Sequence, residues 1–276
     1  MLVRDYCVRI LESGALDAKL APPPCGSPLE DTASGPALHV DAPARDGALA
    51  LVEGAAPLPR PGALSEAPGR AACLARFAHH ELMAVELFAW ALLRWPEAPA
   101  GLREGWLRIL HDEQRHCALY RERLRAHGSD LHEHPSSGYF WKQSRAIAAA
   151  EDGPSAFLAG MGLTLEQANL DFTIAYRDGF RAAGDEASAE VCQLVHDDEV
   201  GHVRFAREWL VHLAPEGASD AAAYRRAVPF PLSAARAKGR RFDEPSRRRA
   251  GFSDELIEEV RCARASQEIG RKGEGR

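Results

Sequence analysis

The residues best suited to chemistry are the glutamates and histidines of two short segments, 112–116 and 198–202. Both segments have the pattern Asp-Glu-x-x-His. Residues three positions apart share one face of an α-helix, so the Glu and the His of each segment can bind the same metal ion. One such pattern is common on helix surfaces, whereas two copies in one chain favour a metal site.

Each segment is preceded by a glutamate in an apolar stretch, Glu81 before Glu113 and Glu166 before Glu199. The spacings are 32 and 33 residues, as though one helical hairpin occurred twice. Four carboxylates inside a helical core need compensation, which two divalent cations would supply. Carboxylate and imidazole donors are typical of iron or manganese, while structural zinc prefers cysteine. We therefore expect two iron ions, with manganese or a mixed Mn/Fe pair as the alternative.

Four long helices must position these residues, and they are rich in the helix formers Ala, Leu, Glu and Arg. The predicted helices cover residues 70–95, 101–127, 154–183 and 186–213. Short joints make the first two and the last two antiparallel pairs. The connection 128–153, with a short helix at 139–150, is long enough to return along a bundle. The expected fold is all-α, a four-helix bundle with a long crossover between its second and third helices.

The predicted domain organisation is one bundle with two extensions. Residues 1–69 contain 10 of the 18 prolines, so beyond a short helix near 3–20 they are expected to form an irregular arm on the bundle. The bundle itself spans 70–213, and 214–276 form a C-terminal extension. The segment 236–249 is locally basic; a solvated face is the expected explanation, and phosphate binding is the alternative.

Composition and cysteine usage narrow the class of protein further. The formal net charge is −6, and the six cysteines are scattered without a C-x-x-C pair, so reduced and mostly packed thiols are expected rather than disulfides or a zinc knuckle. The sequence contains no stretch of roughly 18 apolar residues, and its start lacks the features of a secretory signal. These features predict a soluble, cytoplasmic protein without a membrane partner.

The ligand pattern at this point resembles a known superfamily. Glu81, Glu166 and the two Asp-Glu-x-x-His segments resemble the ferritin-like di-iron carboxylate superfamily, which includes bacterial multicomponent monooxygenases, ribonucleotide reductase small subunits, rubrerythrins and a transfer-RNA hydroxylase. The stretches HHELMAVEL, DEQRH, DEVGHV and PFPLSAARAKG are similar to the bacterial DUF455 family. The first resemblance covers about residues 70–213 and implies a ferritin-like bundle; the second covers most of the chain.

The resemblance also implies roles for individual residues. It implies two metal-binding groups of three residues each: Glu81, Glu113 and His116, and Glu166, Glu199 and His202. In each group the glutamate of the Glu-x-x-His pattern would be positioned to bridge the ions. Asp112 and Asp198 would accept hydrogen bonds from the histidines and fix their orientation, the alternative being two ordinary surface aspartates.

The sequence gives less support for a functional role of the other residues near the motifs. Glu86 lies about 140° around the helix from Glu81, so we expect it to anchor a buried arginine or the N-terminal arm rather than bind the same ion. Tyr120 is expected to be a packing residue; the alternative is a radical tyrosine like that of ribonucleotide reductase small subunits. Hydrogen-bonded or exposed side chains, off the ligand face, are expected for His79, His80, His111 and His196.

Three residues share the helix face of Glu166 and could leave room beside the metals for oxygen or substrate: Gly162, Asn169 and Thr173. A close helix contact would explain Gly162 equally well.

The leading functional hypothesis is an oxidoreductase in which two iron ions react with dioxygen and oxidise or hydroxylate an organic substrate. A small molecule or a modified nucleoside of transfer RNA are both candidate substrates. Two further hypotheses are a ferroxidase or peroxide-scavenging iron protein without organic substrate, and a metal-free helical scaffold. The electron donor and the oligomeric state, including a homodimer, are left open.

Overall fold

A computed structural model describes residues 1–23, 28–32 and 35–264, and within these ranges the chain is all-α. Backbone pairing of the β type in the described ranges is limited to two isolated bridges, between Leu2 and Glu30 and between Leu51 and Ser136. The predicted fold class is therefore confirmed. In the described part of the chain, none of the helices combines enough length and apolar character to cross a bilayer.

The described helices include both long and short elements. They are α1 (Val3–Glu12), α2 (Leu16–Leu20), α3 (Ala67–Arg94), α4 (Ala100–Ala126), α5 (Trp141–Ala149), α6 (Pro154–Phe157), α7 (Gln167–Ala182), α8 (Glu186–Leu213), α9 (Asp220–Ala227), α10 (Glu244–Arg249) and α11 (Asp254–Cys262). Short 3-10 turns occupy Gly47–Leu49, Pro61–Ser65, Leu131–Glu133 and Ala234–Arg236. The predicted helices 70–95, 101–127 and 186–213 correspond to α3, α4 and α8, each within a few residues.

The predicted third helix is helical throughout, but it is not one α-helix. Between α6 and α7 lies a π-helical segment, Leu158–Glu166, in which the backbone N–H of Gln167 donates to Gly162 O, five residues back. All nine residues of the segment are buried, and the Thr164 hydroxyl donates to Ala159 O at 2.8 Å. Such segments are rare and concentrate at functional sites. This one ends at Glu166, a predicted metal ligand.

Contacts divide the chain into two compact units. The first consists of Met1–Arg145 and Arg177–Val191, and the second of Ala146–Tyr176 and the segment that begins at Cys192. The division into an arm, a bundle and an extension at residues 70 and 213 stays a prediction, as does the assembly of four helices into one bundle.

The first unit is built on an antiparallel hairpin of α3 and α4. The Cys117 thiol donates to Ala78 O at 3.2 Å, and Arg103 Nη1 donates to Leu92 O at 2.7 Å. Residue numbers rise along one helix as they fall along the other, which defines the antiparallel register. Buried residues occur on every side of the middle of α3, as expected for a helix surrounded by packed elements.

Glu86 on α3 anchors the N-terminal arm, as the sequence predicts. Its carboxylate accepts hydrogen bonds from Arg45 Nε at 3.1 Å, Arg45 Nη2 at 2.8 Å and Trp141 Nε1 at 2.9 Å, and it lies 3.0 Å from Lys19 Nζ. The three charged side chains are at most 3% exposed. Burial lowers the pKa of Lys19, while the Glu86 carboxylate acts in the opposite direction. The buried negative charge of Glu86 would be costly alone, and side chains of the same protein thus compensate it.

The second unit contains an antiparallel contact between α8 and the helical run that ends in α7. The Asn169 amide donates to Glu199 at 2.8 Å, and Thr173 lies 2.9 Å from the His196 ring. At the other end, a Cβ built on Gly162 would lie 2.4 Å from Ala206 Cβ. Gly162 therefore permits a backbone approach that a side chain would prevent, which supports the helix-contact interpretation.

The C-terminal extension is anchored on α7 by a buried ion pair. Arg247 donates to both carboxylate oxygens of Asp171, at 2.7 and 3.0 Å, and neither side chain is more than 1% exposed. Asp171 also accepts from the backbone N–H groups of Gly239 and Asp243. The expectation of a solvated basic segment therefore does not hold for Arg247, since its charge is used inside the unit.

The cysteines of the described ranges agree with the expectation of packed thiols. Cys7, Cys73, Cys117 and Cys192 are buried and Cys262 is exposed, and none of these five is in a disulfide. Cys25 lies outside the described residues.

Substituting Gly162 tests the close helix contact. Gly162→Ala should destabilise the protein by about 1–3 kcal/mol, because the new methyl group overlaps Ala206. The matched control is Gly201→Ala on α8, where a Cβ meets nothing within 4 Å; it should stabilise by about 0.5–1 kcal/mol. Urea unfolding followed by circular dichroism measures both. The double variant Gly162→Ala with Ala206→Gly should regain part of the stability that Gly162→Ala loses. If it regains none, the contact is disproved.

Removing the Glu86 charge should leave Lys19 and Arg45 buried without their anion. Glu86→Gln is expected to cost roughly 3–5 kcal/mol of unfolding free energy. Glu122→Gln, at an exposed position of α4, is the control and should change stability by less than about 0.5 kcal/mol. Equal midpoints of urea unfolding for the two variants would show that the cluster does not stabilise the arm.

Candidate metal centre

The first unit brings three of the predicted ligands together. Glu81 from α3 and Glu113 and His116 from α4 each offer a ligand atom, and these atoms all lie within 4.8 Å of one another. Glu81 is 5% exposed and the other two are fully buried. Glu113 Oε2 lies 3.3 Å from His116 Nδ1. Two carboxylates and one imidazole in a buried space of this size are able to hold a cation.

The antiparallel register explains why these three side chains meet. Cys117 contacts the backbone of Ala78, so the turn of α4 that carries Glu113 and His116 lies level with the turn of α3 that carries Glu81. The three-residue spacing then places Glu113 and His116 on one face of α4.

The second unit contains the other three predicted ligands, and all are buried. Glu166 is 2% exposed, Glu199 is fully buried and His202 is 4% exposed. Glu199 Oε2 lies 3.7 Å from His202 Nδ1. The register that pairs Gly162 with Ala206 and Asn169 with Glu199 places Glu166 opposite His202. This unit therefore repeats the arrangement of a glutamate facing a Glu-x-x-His pair.

Cys117 lies beside the first group but is poorly suited to bind a metal. Burial raises the pKa of the thiol, and the negative charge of Glu81 raises it further. A metal-binding cysteine must be a thiolate. The neutral thiol instead donates to Ala78 O, which leaves oxygen and imidazole donors only. Oxygen and imidazole donors of this kind are compatible with several divalent metal ions.

The three predicted pocket residues have different environments. Asn169 contacts a predicted ligand directly, since its Nδ2 donates to Glu199 Oε1 at 2.8 Å. The Thr173 hydroxyl donates to Asn169 O at 2.5 Å and lies 2.9 Å from His196 Nδ1, so it belongs to a hydrogen-bond network. Gly162 serves a helix contact. Open space beside Glu166 for oxygen or substrate stays a prediction.

Tyr120 packs against Phe77, with ring centroids 5.1 Å apart, and it is 1% exposed. This environment agrees with a packing role. The two aspartates of the motifs are partly exposed, and Asp112 accepts a hydrogen bond from Arg115 at 2.9 Å. The proposed orientation of the histidines by Asp112 and Asp198 stays a prediction.

The other histidines near the motifs have contacts of their own. His79 Nε2 lies 2.8 Å from His134 O, and burial lowers the pKa of His79 to about 4. His80 stacks on Phe140, and the ring of His111 meets Tyr6 edge-on. The sequence predicts that these side chains are hydrogen-bonded or exposed; His79 is hydrogen-bonded, whereas His80 and His111 are packed against aromatic rings.

Two features of the second unit have no counterpart in the predictions from the sequence. The π segment that ends at Glu166 is buried at all nine positions, so its sequence has no amphipathic period that distinguishes it from an α-helix. Ser246, which lies 2.9 Å from His196 Nε2, is distant in sequence and part of no motif. The neighbouring Arg247 belongs to a run of three arginines that is followed by apolar residues. One arginine of such a run can point into the protein, so the sequence did indicate a possible buried arginine here.

The fold and these two groups define an all-α protein with buried carboxylate and imidazole side chains that could bind metal. The chain belongs to the DUF455 family, described as a protein of unknown function, whose sequence profile matches residues 13–258. It is similar to an uncharacterized protein of Haemophilus influenzae, with 28% identity over 162 residues that cover 55% of this chain and 54% of the relative. The chain thus spans about half the length of that curated relative. No solved structure matches the chain.

The first group predicts opposite effects of one substitution on stability and on metal binding. Glu113→Gln should stabilise the metal-free protein by about 1–3 kcal/mol, because it removes one of two adjacent buried charges. The same change should abolish most of the stabilisation by Mn²⁺, which amounts to about 2.7 kcal/mol at one hundred times the Kd. Thermal unfolding with and without Mn²⁺ measures both, with Glu122→Gln as control. Equal stabilisation of Glu113→Gln and Glu122→Gln by Mn²⁺ would contradict the role of Glu113 as a ligand.

Proposed function

We propose that this chain is a di-iron protein that uses dioxygen to oxidise or hydroxylate an organic substrate. The observation that carries the proposal is the repetition of one ligand set: each unit contains a buried Glu-x-x-His pair, and in each the opposing helix contributes a buried glutamate. In this proposal the fold is of the ferritin-like class, and each of the two groups of three ligands binds one iron ion.

The balance of charge supports two divalent ions. Four glutamates bring four negative charges when ionised, and neutral imidazoles add none. Two divalent cations balance this charge, whereas one ion would leave half of it. Burial excludes water that would otherwise screen the carboxylates, so compensation by cations is energetically important.

The proposed chemistry divides between the metal and the protein. When bound, a ferrous iron pair would supply electrons to dioxygen, which side chains of this kind cannot do alone. The protein supplies the carboxylates of Glu113 and Glu199, each at full burial and beside its histidine, and it excludes bulk water from them. The Asn169 amide holds one oxygen of Glu199. These side chains would bind the iron ions and orient the ligands around them. They identify neither a substrate nor an electron donor.

Hydroxylation of a modified nucleoside in transfer RNA has less support than a small-molecule substrate. Arg247 is buried with Asp171, Arg248 contacts Glu244 and Asp254, and Arg249 contacts Asp197. Arginines already bound to carboxylates are poor phosphate ligands, so residues 247–249 of the basic segment give this variant little support. Iron oxidation without an organic substrate remains the second candidate, and the same metal site would serve it.

Metal analysis tests the proposal. The purified protein should contain about two iron ions per chain after anaerobic loading, and mixing with oxygen should give a transient visible absorption change. Glu113→Ala combined with Glu199→Ala should bring the iron content close to zero while the far-ultraviolet circular dichroism stays helical. Iron content is measured by plasma emission and the oxygen reaction by stopped-flow absorbance.

The control is a second pair of glutamates on the same helices. Glu122→Ala and Glu190→Ala remove exposed carboxylates from α4 and α8 and should leave iron content and oxygen reaction unchanged. A parent protein that binds no iron, or a ligand variant that still holds two ions per chain, would overturn the proposal. Oxygen consumption that depends only on added ferrous iron would favour the ferroxidase alternative.

A further inference from the structure

The second unit contains a series of hydrogen bonds that ends on Glu199. Asn169 Nδ2 donates to Glu199 Oε1 at 2.8 Å, and the Thr173 hydroxyl lies 2.5 Å from the backbone carbonyl of Asn169. Thr173 Oγ1 is also 2.9 Å from His196 Nδ1, and the second ring nitrogen of His196 is 2.9 Å from Ser246 Oγ. The series therefore links α10 of the C-terminal extension to a predicted metal ligand.

The direction of each hydrogen bond follows from the number of donors. A carbonyl oxygen only accepts, so Thr173 uses its single hydroxyl proton on Asn169 O. Thr173 Oγ1 must then accept from His196 Nδ1–H. In a neutral imidazole the other nitrogen is an acceptor, so Nε2 accepts from the Ser246 hydroxyl. In this arrangement every donor of the series meets an acceptor, and the neutral ring of His196 carries its proton on Nδ1.

Neighbouring residues hold both ends of this series in place. Ser246 precedes Arg247, whose buried ion pair with Asp171 joins α10 to α7 two residues beyond Asn169. Ser246 itself is 3% exposed, and its backbone N–H donates to the Asp243 carboxylate. Because α10 is fixed to α7 in this way, the ring of His196 and the carbonyl of Asn169 have little freedom to move.

We propose that Asn169 is a positioning residue that fixes the orientation of the Glu199 carboxylate as a metal ligand. Its amide occupies Oε1, while Oε2 lies 3.7 Å from His202 Nδ1. The inference rests on the proposed function, in which Glu199 and His202 are ligands. Thr173, His196 and Ser246 fix the turn of α7 from which the Asn169 side chain projects, through the backbone carbonyl of Asn169.

Replacement of iron by Co²⁺ gives a direct measurement, because the visible absorption of Co²⁺ reports coordination number without any enzymatic turnover. The full-length chain is titrated with Co²⁺ under argon in the presence of a competing chelator. Asn169→Leu should weaken one of the two Co²⁺ sites by about 10- to 100-fold, the usual effect of losing a partner of a ligand, and should shift its visible band. The other site should keep its affinity.

Gln143→Leu is the matched control. Gln143 is a buried amide on α5 that donates to Tyr139 O, so its loss also removes a buried hydrogen bond but touches no predicted ligand. This control should bind Co²⁺ like the parent protein, within about twofold, whatever its effect on stability. Comparison of the two leucine variants therefore separates positioning of Glu199 from a general loss of stability.

Thr173 provides a second test if Asn169→Leu fails to fold. Thr173→Val keeps the shape but removes the hydroxyl, and it should weaken the same Co²⁺ site by about 3- to 10-fold, whereas Thr173→Ser keeps the hydroxyl and should restore it. A parent protein that binds two Co²⁺ ions, with unchanged affinity and spectrum in Asn169→Leu or Thr173→Val, would overturn the inference and leave the proposed function standing. A parent that binds no Co²⁺, Fe²⁺ or Mn²⁺ would overturn both.

Discussion

A glutamate carboxylate inside a helical core costs several kcal/mol unless positive charge or hydrogen-bond donors meet it. Helix α3 deals with this constraint twice, in different ways. Glu86 is met by Lys19, Arg45 and Trp141, all from the chain itself. Glu81, five residues earlier, lies beside a second carboxylate, Glu113, and an imidazole. The charge of Glu86 is balanced by its ion pairs, whereas Glu81 and Glu113 place two carboxylates side by side, as in a cation site.

The same constraint shapes the second unit. Asp171 is compensated by Arg247 and by two backbone N–H groups, so the carboxylate and the helix that carries it are fixed by the C-terminal extension. Glu199 accepts a hydrogen bond from the amide of Asn169 and lies beside the imidazole of His202. Neighbouring acidic side chains thus fall into two types, those that hold the fold together and those that could bind a metal ion. The extension contributes to both, because Arg247 and Ser246 are adjacent.

The local part of this architecture could be predicted from the sequence, and the long-range part could not. Helices α3, α4 and α8 were predictable because proline, glycine and apolar spacing mark their ends, and Glu81, Glu113 and His116 followed from spacing within and between two of them. Glu86 as an anchor followed from its angle on the helix. The π segment was not predictable, since its nine buried residues are compatible with several helical periods. The contact between His196 and Ser246 joins residues 50 apart, and no helical period encodes it.

The π segment also limits how this chain can change in length. Each helical residue adds a turn of about 100°, so the loss of one residue between Gly162 and Glu166 would rotate Gly162 relative to Glu166 by about that angle. Gly162 would then leave Ala206, and the close approach of the two helices would be lost. Substitutions in this stretch other than at Gly162 can be absorbed by repacking, but the loss of a residue between Gly162 and Glu166 cannot. Apart from Gly162 and Glu166, the segment should therefore vary in composition among related proteins while keeping a constant number of residues between these two positions.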